Sequence, residues 1–405
     1  MASVGGDDKS VATVRVGIIG LGGGASDMMP VFVQHPHIKL TAAADIDPGQ
    51  LEKFHSEFHR ETYQSAEALC ASPQVDVVYI ATPNQFHTAQ ALCALEQGKH
   101  VLVEKPMTLT LEEADVLIEA AARHGVQLMV NVKHSFDPHI CKIREIVERG
   151  ELGQLRMLHY WYFSDWLYRP RTAEELTPSL GGGVTWRQGP HQFDIVRTIA
   201  GGVVRSVRAM TGMWDASRPV VGCHAAYLEF EDGTAATAVF SGYDHFNSRE
   251  LTFGVGAARP AVEPSAYAQA RRTLRQLGSD DAETALKRAQ RYGGPGRGAG
   301  AAPRRSAAWV LGGPLIVTFD KGDVRLTPGG LHIYSDDDAW EVPISRETDG
   351  RHGIVNQLYE AVVHGRRPFA DGRWGKATVE VLLAVFASAR ERREVFLSHQ
   401  VPVRH

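Results

Sequence analysis

The sequence predicts an α/β chain with a doubly wound parallel sheet at the N terminus and a second domain rich in strands and hairpins. Two observations support this fold class: apolar runs alternate with helical segments over the first 132 residues, and hairpin patterns dominate much of the remainder. At 405 residues, with 43% hydrophobic and 22% charged residues, the chain is long enough to form two cores.

The first element is a short apolar strand, residues 14–19, that runs into a glycine-rich turn and then into an apolar segment from Met28 that can begin a helix. In a dinucleotide-binding turn, one glycine allows the tight turn and a second lets the backbone approach a pyrophosphate. A third, small residue lets helix and strand pack. Gly20, Gly22 and Ala25 fill these places, although an ordinary tight loop is an alternative.

The second strand, residues 38–44, ends at Asp45, roughly twenty residues after the glycines. An acid at this place bonds the adenosine ribose hydroxyls and repels a 2′-phosphate, which favours NAD over NADP. Asp47 competes for this role, and a helix cap is the alternative for Asp45.

Strands and helices continue to alternate up to residue 132. Apolar runs at 75–83, 99–106 and 126–132 enclose a helix at about 87–97 and another that runs through Arg123. Nearly continuous apolar runs are typical of parallel strands covered by helices on both faces. Because ligands bind beyond the carboxyl ends of such strands, the polar residues there are candidate site residues: Thr82, Asn84, His87, Glu104, Lys105 and Asn131.

In the second domain, residues 155–163, 204–213, 224–242 and 323–335 predict strands and hairpins. Between them lies GGGVTWRQGPHQFD, residues 181–194. It places Arg187 and His191 four residues apart, on one turn of a predicted helix.

Several separated motifs resemble the glucose-fructose oxidoreductase and inositol dehydrogenase family, Gfo/Idh/MocA: ATPNxxH, then ALxxGKHVLVEKP, then GGGxxxxxGxHxxD. The resemblance implies an NAD-binding Rossmann domain, residues 1–132, and an α+β domain, residues 133–405, with a large, mostly antiparallel open sheet. The second domain would carry a basic Gly/Arg-rich insertion near 257–310 and a C-terminal helix near the domain junction. It further implies a homodimer or homotetramer formed through the C-terminal sheet.

In this family the lysine of EKP lies near the nicotinamide and the substrate hydroxyl, and a histidine completes the reaction site. Lys105 and His191 match, and which of them accepts the proton is open. Many members have aspartate where this chain has Arg187. A guanidinium cannot act as a base here, but it binds a carboxylate through two parallel hydrogen bonds. Together with the motifs above, the predicted NAD contacts are Gly20, Gly22, Ala25, Asp45, Thr82, Asn84, His87, Glu104 and Lys105.

Arg187 therefore predicts an anionic substrate. The aromatic cluster ahead of the loop, which includes Trp161, Trp166 and Tyr168, would suit a small cyclic one, although such residues are usually core. Long members with this arginine resemble phthalate cis-4,5-dihydrodiol dehydrogenases, which implies oxidation to 4,5-dihydroxyphthalate with formation of NADH. A sugar or inositol dehydrogenase and a non-catalytic NAD-binding sensor are the alternatives. The candidate substrate-binding residues are Arg187, His191, Arg169, Arg171 and His134.

Composition argues against other partners. A net charge of −4 creates no general attraction for nucleic acid. The four cysteines lack motif spacing, so we predict free thiols and no metal site. The chain begins without the positive charge and apolar run of a signal peptide and has no membrane-length apolar stretch, so we expect a cytoplasmic protein. For the insertion near 257–310, a surface excursion, guidance of an anionic substrate and a subunit contact all stay open.

Overall fold

The computed structural model describes residues 12–252, 268–294, 312–345 and 347–404. It contains a six-stranded sheet and a nine-stranded sheet, which confirms the predicted fold class. None of the helices in the described ranges is both long enough and apolar enough to cross a membrane.

The first sheet is parallel throughout, with strand order β3-β2-β1-β4-β5-β6. The order reverses between β1 and β4, and open α/β sheets bind ligands at such a switch point. The two strands predicted around the glycine-rich turn have the predicted bounds. The strands are β1 Val14–Ile19, β2 Ile38–Ala44, β3 Glu61–Tyr63, β4 Val77–Ile80, β5 His100–Val103 and β6 Leu128–Val130.

The helices of this region cover both faces of the sheet. The first begins at Gly23, five residues before the apolar segment at Met28, because its first turn consists of the small residues that close approach to β1 requires. The helices are α1 Gly23–Gln34, α2 Pro48–Phe58, α3 Ala66–Cys70, α4 His87–Glu96 and α5 Leu111–His124.

The second sheet has the order β14-β13-β12-β11-β7-β10-β9-β8-β15 and is antiparallel except between β10 and β7. The predicted hairpin at 224–242 is present, and Gly233 turns it with a φ of 84°. The strands are β7 Leu155–Phe163, β8 Val204–Gly212, β9 Cys223–Phe230, β10 Ala235–Ser241, β11 Leu315–Phe319, β12 Gly322–Leu326, β13 Gly330–Ser335, β14 Ala339–Pro343 and β15 Val395–Phe396.

Arg187 and His191 lie on two separate helices, so the prediction that they share one helical turn is wrong. The first helix ends at Arg187, and the next begins at Gly189 with a proline in its first turn, where a missing N–H is tolerated. The helices of the second region are α6 Pro138–Arg149, α7 Val184–Arg187, α8 Gly189–Ile199, α9 Gln269–Leu277, α10 Asp280–Ala289, α11 Gly350–His364 and α12 Gly372–Glu391.

Segments that follow the predicted domain boundary at residue 132 pack against the first sheet. Leu358 of α11 and Trp374 at the start of α12 belong to the hydrophobic core of the first sheet. Val381 and Val385, further along α12, belong to the core of the second sheet. The C-terminal helix α12 therefore packs into both cores and joins them.

Candidate active site

The glycine-rich turn fits the backbone approach that a dinucleotide requires. Gly20 has a φ of +88°, and a Cβ there would lie 2.7 Å from Thr82 Cγ2. A Cβ on Gly23 would meet nothing within 4 Å, so the space beside the first turn of α1 is open. No side chain caps this turn in the described part of the chain, and Ala25 is buried beneath it. Free amide groups at a helix N-terminus suit a phosphate.

Asp45 and Asp47 have different surroundings. Asp45, at the end of β2, accepts a hydrogen bond from Leu21 N at 2.7 Å and so faces the glycine-rich turn. Asp47 is the N-cap of α2 and accepts from Gly49 N at 2.9 Å. Asp45 Oδ1 also accepts from Asp47 N at 2.9 Å, so both carboxylates bond the backbone. The position of Asp45 beside the glycine-rich turn is what favours it for a ribose contact.

His87 connects two backbone segments next to the site. Its ring is fully buried, with Nδ1 2.8 Å from the carbonyl oxygen of Pro106 and Nε2 2.9 Å from that of Thr82. The imidazole thus links the segments that follow β4 and β5. This position indicates that His87 holds the Lys105 segment in place and does not itself face a ligand.

Glu104 is the centre of a buried hydrogen-bond network. Its carboxylate accepts from the Tyr79 hydroxyl at 2.7 Å and from Asn131 Nδ2 at 2.6 Å. Burial acts to raise the pKa of Glu104, but the charges of Lys133 and Lys105 and these hydrogen bonds outweigh it, so the pKa is lowered. Glu104 is therefore an anion that balances the nearby lysines.

Lys105 lies at the contact between the two domains. Its Nζ donates to the backbone oxygen of Arg187 at 2.9 Å. Burial, together with the charges of Lys133 and Arg187 and partly offset by Glu104, lowers the pKa of Lys105 to about 8. An amine with such a pKa is partly neutral near physiological pH, as a general base must be.

His191 and His134 meet at the same place, with ring centroids 4.4 Å apart. Burial and the neighbouring Lys105 and His134 lower the pKa of His191 well below its ordinary value, so its imidazole is neutral. Its Nδ1 is buried and lacks a hydrogen-bond partner within the ranges that the structure describes. His134 Nδ1 lies 3.3 Å from Asp137 Oδ2, so a carboxylate stands behind this pair of rings.

The Arg187 guanidinium uses part of its hydrogen-bonding capacity within the described part of the chain. Nη1 donates to Asn84 Oδ1 at 3.2 Å, and Asn84 in turn donates from Nδ2 to the Gly181 carbonyl at 3.1 Å. The Nε and Nη2 atoms of Arg187 are buried and have no hydrogen-bond partner among the described residues. Burial lowers the pKa of Arg187, while Glu175 and Glu174 act to raise it. The free Nε and Nη2 edge is the one that binds a carboxylate side-on.

Arg169 and Arg171, two further candidates for the substrate, are already occupied. Arg169 donates to Asp165 at 2.8 Å. Arg171 is buried, stacks on Trp166 at 3.8 Å, and donates to the Trp166 carbonyl and to Glu175. These contacts indicate that Arg171 is structural, and we include neither arginine in the proposed substrate site.

Asp194 lies one turn after His191 in α8 and was not among the predicted site residues. It accepts from Trp374 Nε1 at 3.1 Å and from Thr378 at 2.5 Å. Its Oδ2 is buried, and no described residue bonds it. Burial raises the pKa of Asp194 to about 6 against the opposing charge of Arg197. The spacing of three residues from His191 was visible in the sequence, but the partners on α12 were not.

Comparison with known proteins agrees with this geometry. The profile of the GFO_IDH_MocA oxidoreductase family, NAD-binding Rossmann fold, matches residues 14–132, and the GFO/IDH/MocA C-terminal domain matches residues 140–255. A 1-carboxy-3-chloro-3,4-dihydroxycyclohexa-1,5-diene dehydrogenase from Comamonas testosteroni is 34% identical over 93% of this chain and 95% of its own length. The chain belongs to the Gfo/Idh/MocA oxidoreductase family. It is an NAD-dependent dehydrogenase, and the predictions of enzyme class and cofactor are confirmed.

Solved structures of other proteins share this architecture. A Bordetella bronchiseptica RB50 protein described as a dehydrogenase superposes with a TM-score of 0.87 at 39% identity, covering 95% of this chain and all of its own. The WlbA dehydrogenase from Bordetella pertussis, solved with NADH and UDP-GlcNAcA, superposes with a TM-score of 0.69 at 18% identity. It covers 95% of this chain and 99% of its own. The second likeness shows the fold alone.

Proposed function

We propose that this Gfo/Idh/MocA enzyme oxidises a cyclohexadiene diol that carries a ring carboxylate, with phthalate cis-4,5-dihydrodiol as the specific candidate and 4,5-dihydroxyphthalate as its product. The observation that carries the proposal is the buried Nε and Nη2 edge of Arg187, whose two donors have no partner in the described part of the chain. An unpaired buried guanidinium is costly, and a substrate carboxylate would satisfy both donors at once.

The charges around Arg187 support an anionic ligand. Lys105 and Lys133 contribute positive charge, and Glu175, one of the carboxylates whose charge acts on Arg187, is already paired with Arg171. The Comamonas testosteroni relative is named for a diol that bears a carboxyl group on a cyclohexadiene ring. That relative supports a carboxylated cyclohexadiene diol as the substrate class, within which we propose the phthalate diol.

The residues of the site can divide the chemistry between them. Arg187 would hold the carboxylate, and Lys105, with its lowered pKa, would accept the hydroxyl proton. His191 is neutral and could bond the same hydroxyl. NAD, when bound at the glycine-rich turn, supplies the acceptor for the hydride. Loss of hydride and proton from one carbinol leaves a hydroxyketone, which tautomerises to the aromatic catechol.

The test is NADH formation at 340 nm with phthalate cis-4,5-dihydrodiol, a monocarboxylated diol, a neutral aromatic dihydrodiol, myo-inositol and glucose. We expect turnover of the carboxylated diols with NAD. Arg187→Met should raise their KM roughly 30- to 150-fold, since charged hydrogen bonds contribute about 2–3 kcal/mol.

Two controls make the result specific. Arg187→Lys keeps the charge but not the planar pair of donors, so it should restore only part of the affinity. Arg169→Met removes an arginine that is paired with Asp165 and should leave KM unchanged. Preferential turnover of myo-inositol or glucose would refute the proposal and favour a sugar dehydrogenase. NAD binding without turnover of any of these substrates would favour a sensor.

A further inference from the structure

Part of the insertion predicted near 257–310 forms a defined bridge between the two domains. We call residues 279–294, which include α10, the strap. The glycine- and arginine-rich stretch from residue 295 onward lies outside the described residues. Both ends of the strap have specific partners elsewhere in the chain.

The first anchor of the strap is Glu283, which is buried on the second domain. Its two carboxylate oxygens accept from Arg218 Nη1 and Nη2, each at 2.8 Å, and Oε1 also accepts from the backbone N of Arg171 at 2.6 Å. Glu283 and Arg218 are each 3% exposed. A buried, bidentate ion pair with a further hydrogen bond fixes the position of a helix precisely.

This anchor attaches the strap to the loop that leads to Arg187. Arg171 donates to Glu175, and Lys287 of the strap lies 3.9 Å from the same carboxylate. The backbone oxygen of Glu175 accepts from Gly183 N at 2.9 Å, immediately before α7. The loop also bonds the first domain, since Asn84, after β4, donates to Gly181.

The second anchor is Tyr292, which inserts into the first domain. Its side chain is 9% exposed and belongs to the hydrophobic core of the parallel sheet. Its hydroxyl donates to Glu57 of α2 in a short hydrogen bond, and Lys53 Nζ lies 4.8 Å from its ring centroid. A Cβ on the next residue, Gly293, would lie 3.2 Å from Lys53 Cδ. The end of the strap is therefore packed tightly along one face of α2.

The two anchors attach to segments of the first domain that follow the strands on either side of β1. The loop at the first anchor sits on Asn84 at the end of β4, and the second anchor holds α2, which follows β2. Strand β1, whose glycine-rich turn would hold the pyrophosphate, lies between β2 and β4 in the sheet. The strap consequently joins the domains across the switch point.

We propose that the strap is a latch on the cofactor cleft: NAD enters and leaves only when Tyr292 detaches from Glu57 and the core of the first domain. Because the latch acts on the cleft and not on the dinucleotide, weakening it must accelerate entry and exit together. The inference requires the NAD site alone and is independent of the substrate proposed above.

The experiment is stopped-flow fluorescence of NADH binding to the full-length protein, and of NADH displacement by excess NAD. Tyr292→Phe removes the hydrogen bond and keeps the ring, and Glu57→Gln weakens the same bond from the other side. Loss of a hydrogen bond to a charged group should raise both the association and the dissociation rate constants about tenfold. The dissociation constant of NADH should stay within about twofold, because the two rates change together.

Tyr359→Phe is the matched control. Tyr359 is 6% exposed, and its hydroxyl donates to the Ala12 carbonyl at 3.2 Å, before the start of β1 and so at the far edge of the sheet. This variant should leave both rate constants unchanged. Unchanged rates in both Tyr292→Phe and Glu57→Gln, with folding confirmed by circular dichroism, would overturn the latch. A slower association or a weaker NADH affinity without faster association would also overturn it, because Tyr292 would then support binding and not restrict access.

Discussion

At the scale of single residues, the site is defined by a lysine and an arginine that share one contact. Lys105 Nζ bonds the backbone oxygen of Arg187, so the proposed base and the proposed carboxylate-binding group keep a constant separation at the domain junction. The charge of Arg187 also lowers the pKa of Lys105. One arginine thus contributes to binding and to the protonation state of the base.

The pKa of Lys105 predicts how activity depends on pH. Lys105 must be neutral to accept a proton, and it loses its own proton as the pH rises through about 8. We therefore expect kcat/KM for NADH formation to rise about tenfold per pH unit below this value and to level off above it. His191 should not contribute to this rising limb of the pH profile, because its pKa lies well below its ordinary value.

The measurement is a pH profile of kcat/KM for the wild type, His191→Asn and Lys105→Met. His191→Asn should lower the rate and keep the limb near pH 8. Lys105→Met should retain little activity, and the activity that is left should not rise with pH around pH 8. A limb that vanishes in His191→Asn instead would assign the proton acceptor to His191.

At the scale of secondary-structure elements, the contact between α8 and α12 joins the helix that carries His191 to the domain junction. Arg197 is fully buried, stacks on Trp374 at 3.8 Å and donates to Thr378 at 2.8 Å. Asp194 bonds the same tryptophan and threonine. This network holds α8, and with it His191, against a helix that packs in both cores.

Arg197→Met should lower the free energy of unfolding by about 3–5 kcal/mol, because it leaves Asp194 buried without its cation. Urea denaturation monitored by tryptophan fluorescence measures the change. Arg205→Met, which breaks the exposed pair with Glu229, is the control and should cost about 0–1 kcal/mol. Equal effects of the two substitutions would show that the α8–α12 network contributes no more than a surface ion pair.

At the scale of the whole molecule, the second sheet has one face packed on α8 and α12 and an outer face with large exposed side chains. Cross-strand partners place six of these on the outer face, and each is between 36% and 45% exposed: Met157, Trp161, Met210, Tyr227, Ile316 and Tyr334. Exposed apolar surface on this scale marks an interaction site. We propose that the outer face pairs with a second copy in a homodimer, or in a homotetramer built from such pairs.

Sedimentation equilibrium tests the assembly. We expect the wild type to have two or four times the chain mass of 44.3 kDa. Tyr227→Lys should shift it towards 44.3 kDa, because a two-fold interface places the new charge on both copies. Val116→Lys, on an exposed face of α5, is the control and should leave the mass unchanged. A wild type of 44.3 kDa at micromolar concentration would contradict the proposal.

The sequence by itself determined the features that depend on neighbouring residues. The apolar runs specify β1, β2 and β7 with the predicted bounds. The turn after β1 requires a glycine at position 20, because a Cβ there would clash with Thr82. The cofactor class follows from the glycine-rich motif, which lies within one strand, turn and helix, and the family follows from several separated motifs that occur in the right order. Lys105 and Arg187 were also identifiable as site candidates, because each stands in such a motif.

Only the tertiary structure decided which of several similar residues are available to a ligand. Arg171 and Arg187 look alike in the sequence, but folding pairs Arg171 with Trp166 and Glu175 and leaves two donors of Arg187 without partners. The strap is defined by the hydrogen bond between Tyr292 and Glu57, which lie 235 residues apart in the sequence and come together only in the folded chain. Such contacts depend on how distant segments pack, and a local pattern of polarity or periodicity does not encode them.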